Sequence, residues 1–176
     1  LQNLTTRTDV VGSAQSDRAS FVCVGAGLRT RMEFPYLGQF DKPEQFAGLN
    51  SAILTVEPIR RTDRDNTTPP AQLALYQTNS QNELLATVLA GSTGSTEAVA
   101  TYAYDPTALE LVDAYSFDLT QYVGSVIRKQ ITNRPLLLTV PLSTTDLRTM
   151  IQRVSLGDQT RSTDRVRLRL LMTSVQ

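Results

Sequence analysis

The sequence predicts an all-β protein, a jelly-roll-like antiparallel β-sandwich with one α-helix inserted near residues 120–131. Three observations predict it. Several short segments alternate apolar and polar residues, which is the period of a strand with one buried face. Turn-forming residues separate these segments at intervals of about 8 to 15 residues, as in sandwiches. One segment alone has an apolar repeat of helical period.

The first half of the chain has hairpin and strand patterns. Residues 19–24 are apolar and precede Gly25-Ala26-Gly27, which predicts a strand ending in a tight bend. Residues 28–34 place Leu28, Met32 and Phe34 on one parity and charged residues on the other, which predicts a half-buried strand. Further strands are predicted at 50–59, 72–78, 84–90 and 97–104, and a short helical turn is expected at 42–46.

The second half contains the predicted helix. Its apolar stripe consists of Tyr122, Val123, Val126, Ile127 and Gln130-Ile131, and Thr120 is placed to cap it. Strands are predicted at 109–115, 136–140, 150–156 and 165–173. Residues 1–16 are polar, and we expect a poorly ordered segment there, followed by a single sandwich domain over residues 17–176.

Composition excludes several classes of function. Seventeen basic residues balance seventeen acidic ones, so the chain has no broad positive field for nucleic acid or an anionic membrane. The chain has no histidine, which removes the imidazole bases of catalytic triads and the common zinc sites. Cys23 is the only cysteine, so an internal disulfide and a multi-thiolate metal site are excluded. We therefore expect no enzyme, no cofactor and no metal.

The apolar runs are too short to span a bilayer, so we expect a water-soluble chain with no transmembrane segment. The chain begins with Leu1 and not with Met. We therefore expect a trimmed or processed protein, from which any export signal or lipid anchor would have been removed.

An arginine face is the first candidate binding site. Period-two geometry projects Arg165, Arg167 and Arg169 from one side of a strand, and Arg29 and Arg31 from one side of another. If these strands are neighbours, the guanidinium groups would together bind carboxylate or sulfate groups. The alternative is a solvated face on which cross-strand acidic residues balance the arginines.

Tyr102 and Tyr104 share a parity and are candidates for a sugar-stacking platform, with ordinary aromatic packing as the alternative. The segment 63–66 (Asp-Arg-Asp-Asn) has the alternating oxygen ligands that open a calcium loop, but it lacks the Gly and the distal Glu. A charged loop is therefore the favoured interpretation of that segment. A histidine-free hydrolase with two carboxylates is a third class, and no pair of acids points to it.

Four phrases carry a resemblance to a known family. They are Asn50-Ser51-Ala52-Ile53-Leu54, then residues 117–123 before the predicted helix, residues 135–140 after it, and the closing pair at 153–157 and 165–173. Their order resembles Bacteroidota cell-envelope lipoproteins of domain-of-unknown-function family 4270. DNRLRE-type carbohydrate-binding-like jelly-roll domains are a more distant likeness.

The resemblance implies a location in the cell envelope, at the outer-membrane surface or in the periplasm. It implies a non-enzymatic module, an accessory or partner-binding part of a surface lipoprotein whose partner is an envelope protein or a glycan. The alternative is a carbohydrate-binding module for polysaccharide capture. The chain departs from the family in two respects: members are usually longer, and Cys23 lies in a predicted strand and not at a lipid-acceptor position.

Overall fold

The computed structural model describes residues 11–40, 46–59, 68–91, 93–103, 113–143 and 151–174. Its strands are β1 (Ala19–Val22), β2 (Thr30–Met32), β3 (Phe46–Val56), β4 (Gln72–Thr78), β5 (Leu84–Thr87), β6 (Leu89–Ala90), β7 (Thr96–Glu97), β8 (Val99–Thr101), β9 (Tyr115–Asp118), β10 (Leu136–Thr139), β11 (Val154–Gly157) and β12 (Val166–Ser174). The helix α1 spans Thr120–Ile127. The strand pairings between these elements are antiparallel, which confirms the all-β sandwich, and α1 is the one α-helix whose whole span lies within the described ranges. The jelly-roll order of the strands stays a prediction.

A five-stranded sheet contains the most deeply buried strands. Its order is β2-β10-β4-β5, and β8 also pairs with β4. Every residue of β10 is buried, as are five of the seven residues of β4. Leu138 pairs with Leu75 in the core, and Leu137 pairs with Tyr76 on the opposite, also buried, face. An unbroken apolar run suits a strand covered on both faces, which explains why residues 136–140 do not alternate.

A three-stranded sheet, ordered β12-β3-β9, supplies the other large layer. Its inward residues include Leu54 of β3, which pairs with Leu168 on one side and Phe117 on the other. Leu54 and Phe117 are fully buried, whereas Leu168 at the edge is half-buried. Residues of the opposite parity face outward, so this sheet buries one face in the core and leaves the other open.

Smaller pairings join these sheets. β1 pairs with β11, and isolated bridges join Cys23 to Leu28, Pro58 to Leu156 and Ala103 to Ala114. The last of these bridges lies where β8 and β9 approach, so it connects the five-stranded and three-stranded sheets. β6 and β7 form a separate short hairpin. Cross-sheet bridges of this kind are how sandwiches turn their corners.

The helix begins at the predicted residue 120 and confirms the first part of the predicted apolar stripe, but Ile131 lies beyond α1 and is 37% exposed. Tyr122, Val123 and Val126 are buried. Thr120 is not the cap, because it is the first helical residue and its backbone N–H donates to the Asp118 carboxylate at 3.0 Å. The predicted extension to residue 131 is wrong. The N–H of Arg128 still donates to the carbonyl of Gly124 at 3.0 Å, but Lys129 has a φ of 57°, in the left-handed region, and the N–H of Gln130 donates back to the carbonyl of Ser125 at 2.9 Å, which closes the C-terminal end of the helix.

The first hairpin also differs from its prediction. β1 ends at Val22 because Val24–Ala26 forms a 3-10 turn, which Gly27 leaves with a φ of 70°. The predicted alternation in residues 28–34 holds for Thr30 and Met32, which are buried, but the side chain of Leu28 is 49% exposed. The turn lifts Leu28 away from the core before the strand begins.

Several predictions fall on residues outside the described ranges. The calcium-like segment at 63–66 lies outside them entirely. So do the first four residues of the predicted helical turn at 42–46 and parts of the predicted strands at 97–104, 109–115 and 150–156. Of the polar N-terminal segment, Ser13–Gln15 forms a 3-10 turn. No helix within the described ranges is long and apolar enough to cross a membrane.

Candidate functional site

The open side of the three-stranded sheet is the strongest candidate site, and we call it the outer sheet face. Residues paired across antiparallel strands project to the same side, so the register defines its rows. Arg167, Thr55 and Ser116 form one row. Arg169, Ile53 and Asp118 form the next. The face also includes Arg165, Glu57, Ser51 and Leu171.

Exposure differs across this face. Arg167 and Arg169 on the edge strand are exposed, as are Ser116 and Asp118 on β9. The side chains between them on β3, such as Thr55, are half-buried. A ligand would therefore meet guanidinium groups along one margin and hydroxyl groups nearer the centre.

Not every charge on the outer sheet face is available to a ligand. Arg167 forms an ion pair with the Oε1 atom of Glu57, and the other oxygen of that carboxylate accepts the backbone N–H of Arg165 at 3.1 Å. The Asp118 carboxylate accepts the hydroxyl of Thr120 at 2.6 Å and so is engaged at the start of α1. Arg169 has no ion pair or side-chain hydrogen bond to any residue in the described ranges. Its guanidinium group is therefore the one most open to a ligand.

The two predicted arginine groups do not meet. Arg29 precedes β2 and Arg31 lies in it, and β2 pairs with β10, whereas Arg165, Arg167 and Arg169 belong to the sheet built on β3. Arg31 is also occupied within its own sheet. It donates to Glu33 at 2.9 Å, to the carbonyl of Asn79 at 2.9 Å and to the side chain of Asn82 at 2.6 Å. The predicted surface is therefore reduced to the three arginines of the outer sheet face.

Tyr102 packs inward. It is half-buried against the core, and its ring lies 5.3 Å from that of Tyr115, at an interplanar angle of 42°. The hydroxyl of Tyr115 donates to the carbonyl of Pro70 at 2.6 Å. Burial, and secondarily the neighbouring Tyr102, raises the pKa of Tyr115 far above the usual range for tyrosine. Tyr104 lies outside the described residues, so the paired stacking platform stays a prediction.

A second candidate, which the sequence did not reveal, is a shallow cleft between the N-terminal turn and the loop joining β11 to β12. Its volume is about 340 Å³, and it is lined by Asp17, Arg18, Arg161, Ser162 and Thr163. The only signal in the sequence is a run of small polar and charged residues at 158–164, which is typical of any surface loop.

The hydrogen bonds around this cleft are mainly structural. The backbone N–H of Asp158 donates to the carbonyl of Arg18 at 2.9 Å, which ties the loop to the N-terminal turn. Partial burial works against ionisation of Asp158, but hydrogen bonds from Thr160 and Ser13 and the charge of Arg18 outweigh it and lower the pKa of that carboxyl. Asp158 already balances the charge of Arg18, and Arg161 donates to the backbone carbonyl of Asp17 at 3.5 Å. The cleft therefore offers a ligand fewer guanidinium groups than the outer sheet face, and we treat it as the weaker anion site.

Metal binding has no support within the described ranges. No group of three or more cysteine, aspartate or glutamate side chains in those ranges is arranged to hold an ion. Cys23 is a free thiol and is half-buried beside the first hairpin.

The comparisons with known proteins add no relative. The chain matches no family model, no curated protein and no solved structure. The resemblance to envelope lipoproteins therefore rests on the sequence phrases alone.

Proposed function

We propose that this chain is a non-enzymatic module of the cell envelope that binds an acidic partner through the outer sheet face. One observation carries the proposal. Arg169 is exposed without a described side-chain partner, in a column with Arg165 and Arg167, on a sheet whose other side is sealed into the core.

The chemistry of arginine supports an acidic partner. A planar guanidinium group donates two parallel hydrogen bonds to a carboxylate or a sulfate, a geometry that lysine does not match. A strand spaces the backbone positions of alternate side chains roughly 6.6 Å apart, so Arg169 lies next to Arg167 along the edge. Arg167 already pairs with Glu57, so Arg169 is the main donor to a ligand, and Arg167 can add a hydrogen bond by sharing its guanidinium group between Glu57 and the ligand.

The place of the module in the cell belongs to the proposal as well. We propose that it is an accessory or partner-binding part of a surface lipoprotein, at the outer-membrane surface or in the periplasm. The support for this is the order of motifs from Asn50 to the closing strands, which resembles the envelope family.

The test is to change Arg165, Arg167 and Arg169 together to Ser and measure binding to acidic probes by calorimetry. Suitable probes are a poly-glutamate peptide and a sulfated oligosaccharide. The control is Arg29→Ser, which removes one exposed arginine just before β2, away from the outer sheet face. We expect about a tenfold or greater loss for the triple variant, since each pair contributes up to about 1 kcal/mol, and less than a twofold loss for the control. Equal losses in both, or no binding by the unaltered chain, would contradict the proposal.

Carbohydrate capture is the second candidate function. The observation that favours it is the set of hydroxyl groups on the same face as the arginines: Thr55 is paired with Arg167, Ser116 continues that row on β9, and Ser51 is paired with Leu171. Hydroxyl and guanidinium groups together suit a uronic acid or a sulfated sugar. Comparing the affinities for an acidic oligosaccharide and for an acidic peptide of equal charge separates the two functions. A glycan site should bind the oligosaccharide more tightly than the peptide, and the neutral form of the same sugar should compete with the bound oligosaccharide.

A further inference from the structure

The edge of β12 presents backbone groups as well as arginines. β12 is the terminal strand in the order β12-β3-β9, and no strand in the described ranges pairs with its outer side. From Val166 to Leu171 its register with β3 is unbroken, so this stretch is straight enough to accept another strand. An unpaired edge of this kind is a template for strand addition.

The apolar side of β12 is incompletely covered. Val166, Leu168 and Leu170 pack against the core but remain half-buried. Their partners on β3, which are Val56, Leu54 and Ala52, are each 0% exposed. An added strand with apolar residues on this side would bury the remaining surface, so the inner side of β12 favours a partner with alternating apolar residues.

The arginines decide which strand can be added. Two copies of β12 paired antiparallel about Leu168 would set Arg167 of each copy opposite Arg169 of the other, and like charges directly opposite are destabilising. A strand with acidic residues at alternate positions would instead face Arg167 and Arg169 with opposite charge. The charge pattern therefore excludes self-pairing in this register and favours an acidic partner.

From these observations we infer that β12 binds an extended segment of a partner protein as an additional strand. The segment alternates acidic residues, which face the arginines of the outer sheet face, with apolar residues, which cover Leu168 and Leu170. This inference rests on the proposed function and specifies it, since it names both the backbone pairing and the class of partner.

The experiment uses an octapeptide in which Glu and Val alternate, with both ends blocked. A control peptide has the same composition with all Glu residues grouped together. Two further peptides carry backbone N-methyl groups, either on every Glu or on every Val. In strand pairing only alternate N–H groups point at β12, so one methylated peptide should bind at least tenfold more weakly and the other within about threefold of the parent.

A charge exchange tests the side-chain contact. Arg169→Glu should weaken binding of the Glu-Val peptide by about twofold to fivefold and improve binding of a Lys-Val peptide, whereas Arg29→Glu should change neither. Amide hydrogen exchange supplies an independent readout, because alternate amides between Val166 and Leu171 should become protected when the peptide binds.

The outcomes separate the inference from the proposed function. Equal tolerance of both N-methylated peptides, or equal binding of the grouped-Glu peptide, overturns strand addition while leaving an acidic partner in place. Association of the chain with itself through β12 overturns the acidic partner strand. If neither peptides nor acidic probes bind, both the inference and the proposed function fail.

Discussion

The two large sheets use the same strand geometry for opposite purposes. At the centre of the five-stranded sheet, β4 and β10 are buried on both faces, and their residues serve packing alone. The three-stranded sheet buries one face and keeps the other in solvent, so every second residue of β12 is free to vary without disturbing the core. Both sheets contribute fully buried residues to the core, but the three-stranded sheet also provides an exposed face for binding.

The sharpest test of this contrast is a pair of leucine truncations. Leu138 on β10 is 0% exposed, whereas Leu170 on β12 is half-buried at an edge. We expect Leu138→Ala to lower the free energy of unfolding by about 2–5 kcal/mol, since it leaves a cavity that cannot collapse. Leu170→Ala should cost about 1 kcal/mol, because its side chain is only partly removed from water. Urea denaturation measures both, and equal costs would remove the distinction between the sheets.

A pair of glycine substitutions tests the contact between the two-stranded β1-β11 sheet and the loop that leads into β12. A Cβ at Gly157, at the end of β11, would lie 1.6 Å from the backbone oxygen of Asp164. Gly157→Ala must therefore displace the loop that leads into β12, and we expect a loss of about 1–3 kcal/mol or more. Gly48→Ala is the matched control, since nothing lies within 4 Å of its added Cβ, and it should change stability by less than about 0.5 kcal/mol. Equal melting temperatures for the two variants would show that the loop moves to accept the added Cβ without loss of stability.

The smallest expected effect is a pH dependence confined to the same loop. The pKa of Asp158 is lowered by Thr160, Ser13 and Arg18, against the effect of its slight burial. Its contribution to stability is therefore present above the unfolded-state pKa of about 3.9 and is lost as the pH falls through the lower folded-state value. The stability advantage of the unaltered chain over Asp158→Asn should shrink as the pH drops below about 4. Denaturant midpoints measured from pH 6 to pH 2 check this, and an advantage that is constant over that range would contradict it.

Local patterns predicted most strands of both sheets, because strand burial leaves a direct trace in the sequence. The exception is β9: it spans Tyr115–Asp118, of which only Tyr115 lies in the strand predicted at 109–115. The strand at residues 72–78 is observed as Gln72–Thr78, and the predicted strand at 165–173 as Val166–Ser174. The ends of the elements were harder to predict, because they depend on single backbone angles. One example is the left-handed φ of Lys129, just after the end of α1. A lysine has no intrinsic preference for that conformation, so its neighbours impose it.

The candidate site was predictable only in part. Alternation along one strand was enough to place Arg165, Arg167 and Arg169 on a common face. Which strands become neighbours depends on long-range pairing, which no local pattern encodes, so the separation of Arg31 from Arg167 could not be foreseen. The partners that occupy these two arginines, Asn82 and Glu57, are also distant in sequence.

The bulges of β12 have a consequence for how long a partner would stay. The pairing of β12 with β3 is irregular between Leu171 and Met172 and again between Thr173 and Ser174, and bulges increase strand twist. The regular part of the β12 edge, from Val166 to Leu171, is therefore the only stretch of β12 left for a partner strand. A single contact of that size dissociates quickly, so lasting attachment would require many copies displayed together, with avidity supplying what each site lacks.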